Sequence, residues 1–132
     1  MRFDLDRFKA INDEHGHDVG DAILKEVADR TRKRLRTFEL AYRMGGEEFL
    51  VVLPGIDNPQ GTLIAEQLRE TIGQLPAYGK ITVTASFGIS SAKGKQIDFD
   101  ALYRRADQAL YHAKRHGRDR ISASEPAAIT AR

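Results

Sequence analysis

The chain has 132 residues, a net charge of +2, 41% hydrophobic and 30% charged residues, the balance of one folded domain rather than a disordered segment. It contains no cysteine, which excludes disulfides, thiolate metal sites and a thiol nucleophile, so any metal must be held by oxygen or imidazole. No apolar run approaches the ~20 residues of a membrane span and no cleavable signal is visible at Met1; the expectation is a cytoplasmic segment with no membrane contact of its own, in a parent protein that is free to be anchored elsewhere.

Hydrophobic periodicity gives the elements in chain order. Phe3-Asp4-Leu5-Asp6 reads as the end of a strand whose beginning lies before Met1, which suggests a fragment of something longer. Arg7–Asp13 is predicted as a short helix, ended by a loop over His15-Gly16-His17-Asp18. A longer helix follows from about Gly20 to Arg36, with Leu24, Val27, Ala28, Thr31 and Leu35 on one stripe. Glu39–Met44 and Glu48–Leu53 are strands joined across Gly45-Gly46, a short-hairpin signal. The unalternating run Phe49–Leu53 is expected to be buried on both faces, and Pro54 stops it. Ile64, Leu68, Ile72 and Leu75 mark a third helix. Ile81, Val83, Ala85, Phe87 and Ile89 alternate with Thr82, Thr84 and Ser86, the period of a half-polar strand. A fourth helix carries Leu102, Ala106, Ala109, Leu110 and Ala113 and ends near Gly117, before a short strand at Arg120–Ser122. The domain is expected to span 1–122, and 123–132 reads as a polar, alanine-rich flexible tail.

The order β-α-α-β-β-α-β-α-β contains a ferredoxin-like β-α-β-β-α-β core with additions. It implies an α+β fold: a mixed, mainly antiparallel sheet backed by helices.

Charge is segregated along the chain. Residues 1–29 hold eight acids and four bases, net −4, and residues 30–43 hold six bases and one acid, net +5. Residues 44–92 are net −3 and residues 93–132 net +4. Alternating blocks suit a site that needs carboxylates for a metal and cations for an anionic ligand. The balance is too mild for a binder of nucleic acid polymer.

Three features carry chemistry. Asp4-Leu5-Asp6 ends a strand, where outward-facing carboxylates meet hard cations. Glu47 and Glu48 repel one another on a tight turn that needs no acids, which suggests a cation. In a β-α-β-β core this hairpin can lie beside the first strand, bringing Asp4 and Glu47 together as in metal-driven phosphoryl transfer. Lys114 and Arg118 close the fourth helix, where they suit phosphate. Acids for metal plus cations for phosphate imply a nucleotide. His112 and His116, at i and i+4, sit among Lys114 and Arg115, which would repel a metal. Ser86, Ser90 and Ser91 have no nucleophile elbow around them. The phenylalanines fall mostly at core-facing positions rather than on a stacking surface for bases.

Phe3-Asp-Leu-Asp-Arg-Phe-Lys-Ala-Ile-Asn-Asp13, Gly16-His-Asp-Val-Gly-Asp21, Arg43-Met-Gly-Gly-Glu-Glu-Phe49 and Ala106-Asp-Gln-Ala-Leu-Tyr-His-Ala-Lys-Arg-His-Gly-Arg118 closely resemble the GGDEF domain of diguanylate cyclases, in order and spacing. The resemblance implies a palm-like fold and the joining of two GTP molecules into cyclic diguanylate with release of two pyrophosphates. By position it assigns Mg2+ or Mn2+ to Asp4, the Leu5 carbonyl and Glu47. Either Glu47 or Glu48 would help deprotonate the attacking 3′-hydroxyl, with Glu47 the usual nominee. It assigns free backbone approach to Gly45 and Gly46, phosphate to Phe8, Lys9, Lys114 and Arg118, with Lys9 also catalytic in stabilising the charge that develops on it, the guanine edge to Asn12 and Asp21, and loop orientation to His17 beside that pocket. A carboxylate and an amide match guanine's adjacent N–H donors and carbonyl.

The chain departs from the family in two places. The helix and Asp-x-Leu-Thr-x-Leu-x-Asn-Arg stretch that usually precede the first strand are not in it, so it is N-terminally short. The inhibitory Arg-x-x-Asp reads Arg36-Thr-Phe-Glu39, which puts product inhibition in doubt. A homodimer is expected for catalysis, held by an upstream sensory or dimerising domain. The alternative is a non-catalytic regulatory module that binds GTP or cyclic diguanylate.

Overall fold

The computed structural model describes residues 1–74 and 81–125. Among the described residues, five strands and four helices follow in the order β1 (Arg2–Leu5), α1 (Phe8–His15), α2 (His17–Arg34), β2 (Leu40–Gly45), β3 (Glu48–Val52), α3 (Asn58–Gly73), β4 (Ala85–Ile89), α4 (Phe99–Arg115) and β5 (Ile121–Ala123). The strands form one sheet in the order β2-β3-β1-β4-β5, antiparallel except for the parallel β4–β5 pair. This is the mixed, mainly antiparallel α+β fold expected from the element order.

Register explains the core. Phe3 lies opposite Phe49 on one side and Phe87 on the other, and its ring stacks on both, with centroids 4.7 and 4.8 Å apart. The row of rings runs across the three central strands under Ile23, Leu24 and Val27 of α2 and Ala65, Leu68 and Ile72 of α3. Side chains alternate across a strand, so Arg2, Asp4, Ser86 and Gly88 face the other way, where α4 covers them. A Cβ on Gly88 would stand 2.1 Å from the Ala106 carbonyl oxygen and 2.3 Å from the Leu110 nitrogen, so this glycine lets the helix backbone lie directly on β4.

Helix starts follow local chemistry. Asp57 accepts from the Gln60 N–H at 3.0 Å, and the Gln60 side chain bonds back to the Asp57 N–H, a capping box before α3. Asp98 caps α4 through the Ala101 N–H at 3.1 Å.

Several expectations need correction. The loop predicted over His15–Asp18 shrinks to Gly16, whose φ of +92° breaks one helix and starts the next. β3 is not buried on both faces: Phe49 and Val51 are core, whereas Leu50 and Val52 are half-buried, because α4 covers only β1, β4 and β5. The half-polar strand begins at Ala85 rather than Ile81 and is enclosed on both faces. The last strand runs one residue later than expected, to Ala123, and the Ser124 N–H still bonds the Ile89 carbonyl at 2.7 Å. Asp4 and Asp6 do not face outward; both are buried. Leu75 and residues 126–132 lie outside the described residues.

Candidate active site

The end of β1 gathers three elements. Asp4 pairs with Glu48 across β1–β3, and the Leu5 N–H bonds the Glu47 carbonyl at 3.3 Å. The hairpin acids therefore stand beside the first strand. Glu47 is half-buried and Glu48 exposed. Gly45 and Gly46 turn the chain at φ +152° and +51°, with open space at both missing Cβ positions. The Arg43 guanidinium donates to the Gly46 carbonyl at 2.9 Å and closes the turn.

Asp4 is 4% exposed. Its Oδ2 contacts the Lys114 ammonium, and its Oδ1 lies 3.8 Å from Arg2 and has no hydrogen-bond partner. A buried carboxylate oxygen left unpaired is costly, and it is the kind of atom a hard cation takes. The donors expected from the sequence, Asp4, the Leu5 carbonyl and Glu47, are all oxygen, the set a hard divalent cation takes. No three Asp, Glu or His side chains gather into a metal-holding group among the described residues.

Asp6 does something else. It accepts from Thr84 Oγ1 at 2.7 Å, Ser86 Oγ at 2.6 Å and the Asp119 N–H at 3.0 Å, so both oxygens are committed to holding β4 and the loop after α4. That loop is thereby pinned two residues before α1 begins. Phe8 is buried and anchors the helix, Lys9 is exposed on its first turn, and the leading N–H groups have no intrahelical partner. Arg118 is exposed on the pinned loop, so the structure brings Lys9, Lys114 and Arg118 to one end of the sheet with the acids.

Asn12 and Asp21 come from neighbouring helices. A Cβ on Gly20 would stand 1.8 Å from Asn12 Oδ1, so the amide lies against the turn that carries Asp21. Asn12 Oδ1 is buried and unpartnered, and Asp21 is exposed. His17 is exposed on the first turn of α2, and its side chain makes no hydrogen bond among the described residues.

Arg36 and Glu39 bind each other. The Arg36 backbone N–H and guanidinium donate to Glu39 at 2.8 and 3.0 Å, and Glu39 is 7% exposed. Burial is the largest single influence on the Glu39 carboxyl and raises it. Hydrogen bonds from the Arg36 side chain and backbone, with its charge, outweigh burial and hold the group below its ordinary value of 4.5. The pair braces the turn between α2 and β2.

Sequence reasoning missed two groups. Arg2, 2% exposed, lies beneath Asp4, donates to the Tyr103 hydroxyl at 3.0 Å, and pairs with Asp107 at 3.3 Å. Its only signal was an arginine two residues from Asp4, on the same strand face. Arg69 of α3 bonds Asp119 at 2.9 Å and Glu66 at 2.9 Å, and these bonds, Glu66's first, raise it further above its ordinary value.

A palm-like sheet with acids on its central strand and hairpin, and cations at the facing helix end, defines a class of nucleotide-handling domain. The family model "Diguanylate cyclase, GGDEF domain" matches residues 1–120, and the chain belongs to that family. It is 46% identical over 121 residues to the diguanylate cyclase DgcP of Pseudomonas aeruginosa, a match covering 89% of this chain and 18% of that protein. It is 40% identical over 126 residues to the response regulator PleD of Caulobacter vibrioides, covering 92% of this chain and 28% of that one. Among solved structures, the active GGEEF domain of a diguanylate cyclase from Vibrio cholerae matches with a TM-score of 0.88 and 36% identity, over 94% of this chain and 80% of that chain. The chain thus spans less than a third of these two curated relatives. No described helix is long and apolar enough to cross a membrane.

Proposed function

We propose that this domain condenses two GTP molecules into cyclic diguanylate and two pyrophosphates. One observation carries the reading: the unpartnered, buried Oδ1 of Asp4 stands beside the hairpin of Glu47 and Glu48, with Lys114 and Arg118 at the same end. Asp4, the Leu5 carbonyl and Glu47 would hold a divalent ion, which would supply charge neutralisation at the α-phosphate and acidify the attacking hydroxyl.

The chain's own residues do the rest. Asn12 and Asp21 receive the guanine edge. The first amides of α1, with Lys9 and Arg118, bind the triphosphate. The Lys114 ammonium carries three N–H donors, so it can reach the β- and γ-phosphates from its place beside Asp4. Glu47, or its neighbour Glu48, takes the proton from the 3′-hydroxyl. The 3′-oxygen forms a bond to the α-phosphorus of the other GTP as the bond to the β-phosphate oxygen breaks, and pyrophosphate leaves with the electron pair. A second such step closes the ring. One domain offers one set of these groups, so two copies face each other about a two-fold axis. Regulatory product at Arg36 and Glu39 would first have to open their ion pair.

Glu47→Gln tests the assignment, since an amide supplies neither the charge nor the proton acceptor. Product formation from GTP and Mg2+, followed by chromatography, is expected to fall below detection while thermal unfolding is unchanged. Wild-type rates in the variant would contradict the assignment of Glu47.

A further inference from the structure

The loop after α4 is strained. Arg118 and Asp119, neither of them glycine, sit in the left-handed region at φ +62° and +43°, directly after Gly117 at φ +118°. Such backbone persists only where its surroundings over-determine it. Here the surroundings come from three elements. The Arg118 N–H bonds the Ala113 carbonyl at 3.1 Å, and the Arg118 carbonyl accepts from Arg120 Nε at 3.0 Å. The Asp119 N–H is held at 3.0 Å by Asp6, the residue directly after β1. The Asp119 carboxylate is held by Arg69 Nη1 at 2.9 Å, on α3, and Arg69 is itself oriented by Glu66 through Nε at 3.2 Å and Nη2 at 2.9 Å. Arg118 is thus clamped on its C-terminal side by a main-chain bond to one element and a side-chain bond to another.

We propose that Arg69 is a positioning residue for the triphosphate end of the nucleotide: through Asp119 it fixes the loop that presents Arg118 at the start of α1. The inference rests on the phosphate role given to Arg118 above. Arg69 touches no nucleotide itself; it acts through the loop geometry. Its action is confined to the β- and γ-phosphates, because the guanine pocket of Asn12 and Asp21 belongs to α1 and α2, which make no hydrogen bond to Arg69 or Asp119 among the described residues.

Calorimetry with two ligands separates this role from simple bracing: GMP, and a GTP analogue with a methylene between the α- and β-phosphorus. Arg69→Met is expected to weaken the analogue by a factor of about two to five, the range for a partly exposed ion pair, and to leave GMP unchanged. Arg69→Lys is expected to recover part of the loss. Asp119→Asn keeps the N–H to Asp6 and suits left-handed backbone, so it should reproduce the Arg69→Met loss without unfolding, and the double variant should lose no more than either single one. Parallel loss of GMP and analogue, or an unchanged analogue affinity, would overturn the role of Arg69. A wild-type chain that does not prefer the analogue to GMP would instead contradict the phosphate assignment itself.

Discussion

Asp4 lies between two built-in cations. Arg2 cannot leave, being buried and tied to Tyr103 and Asp107, whereas Lys114 is half-exposed and reaches Asp4 from the end of α4. The carboxylate is thereby held and aimed in a water-poor setting where electrostatic interactions are strong. On the proposed reading its free oxygen receives the metal while the lysine beside it serves phosphate. Glu39 shows the opposite use of a buried carboxylate, as a brace. Its folded-state value is depressed, so the stability it contributes is present above the unfolded value and is lost as pH falls through the folded one. Glu39→Gln should cost about 1–3 kcal/mol at pH 7, the worth of hydrogen bonds to a charged group. The gap between wild type and variant should close as pH drops below the ordinary value of 4.5. Urea midpoints at neutral and acid pH measure it; a gap independent of pH would contradict the ion-pair reading. Asp4, Glu47 and Glu48 were legible in the sequence because acids at a strand end and on a glycine turn have no local structural use. Arg2, Arg69 and Asp119 were not, because their partners lie 101 and 50 residues away and only the fold brings them together.

The sheet and α4 set the site's geometry between them. Stacking of Phe3 on Phe49 and Phe87 locks β1 in register with both neighbours, and a slip by one residue would turn Asp4 into the core. On the other face, Gly88 sets how closely α4 approaches and so where Lys114 stands. Gly88→Ala forces its Cβ against helix backbone and should cost about 1–3 kcal/mol, as overpacking does, while raising KM for GTP as α4 lifts. Gly61→Ala is the control. Its Cβ would meet nothing nearer than 3.6 Å, so in α3 it should stabilise by about 0.5–1 kcal/mol. Equal effects of the two changes on unfolding temperature and KM would contradict this account of α4. The element order and hairpin were readable from periodicity. The enclosure of β4 on both faces was not, because Ser86 looked like a solvent-facing position until Asp6 appeared as its partner.

At the scale of the molecule, α4 covers only part of its face of the sheet. Leu40, Tyr42 and Met44 of the edge strand β2 are 47%, 48% and 48% exposed, beside half-buried Leu50 and Val52. An apolar edge of this kind favours self-association, so activity at high concentration must be read against a monodispersity check. The proposed condensation joins two GTP molecules, each brought by one site, so turnover should depend on how often two chains meet in a productive geometry. The most direct measurement is cyclic diguanylate formed per chain from GTP and Mg2+ across a dilution series, for the chain alone and with a dimerising coiled coil fused before Met1. The account predicts that specific activity rises with concentration for the chain alone, and that the fusion is more active and largely insensitive to dilution. A fused, dimeric chain that binds GTP and forms no cyclic diguanylate would contradict it.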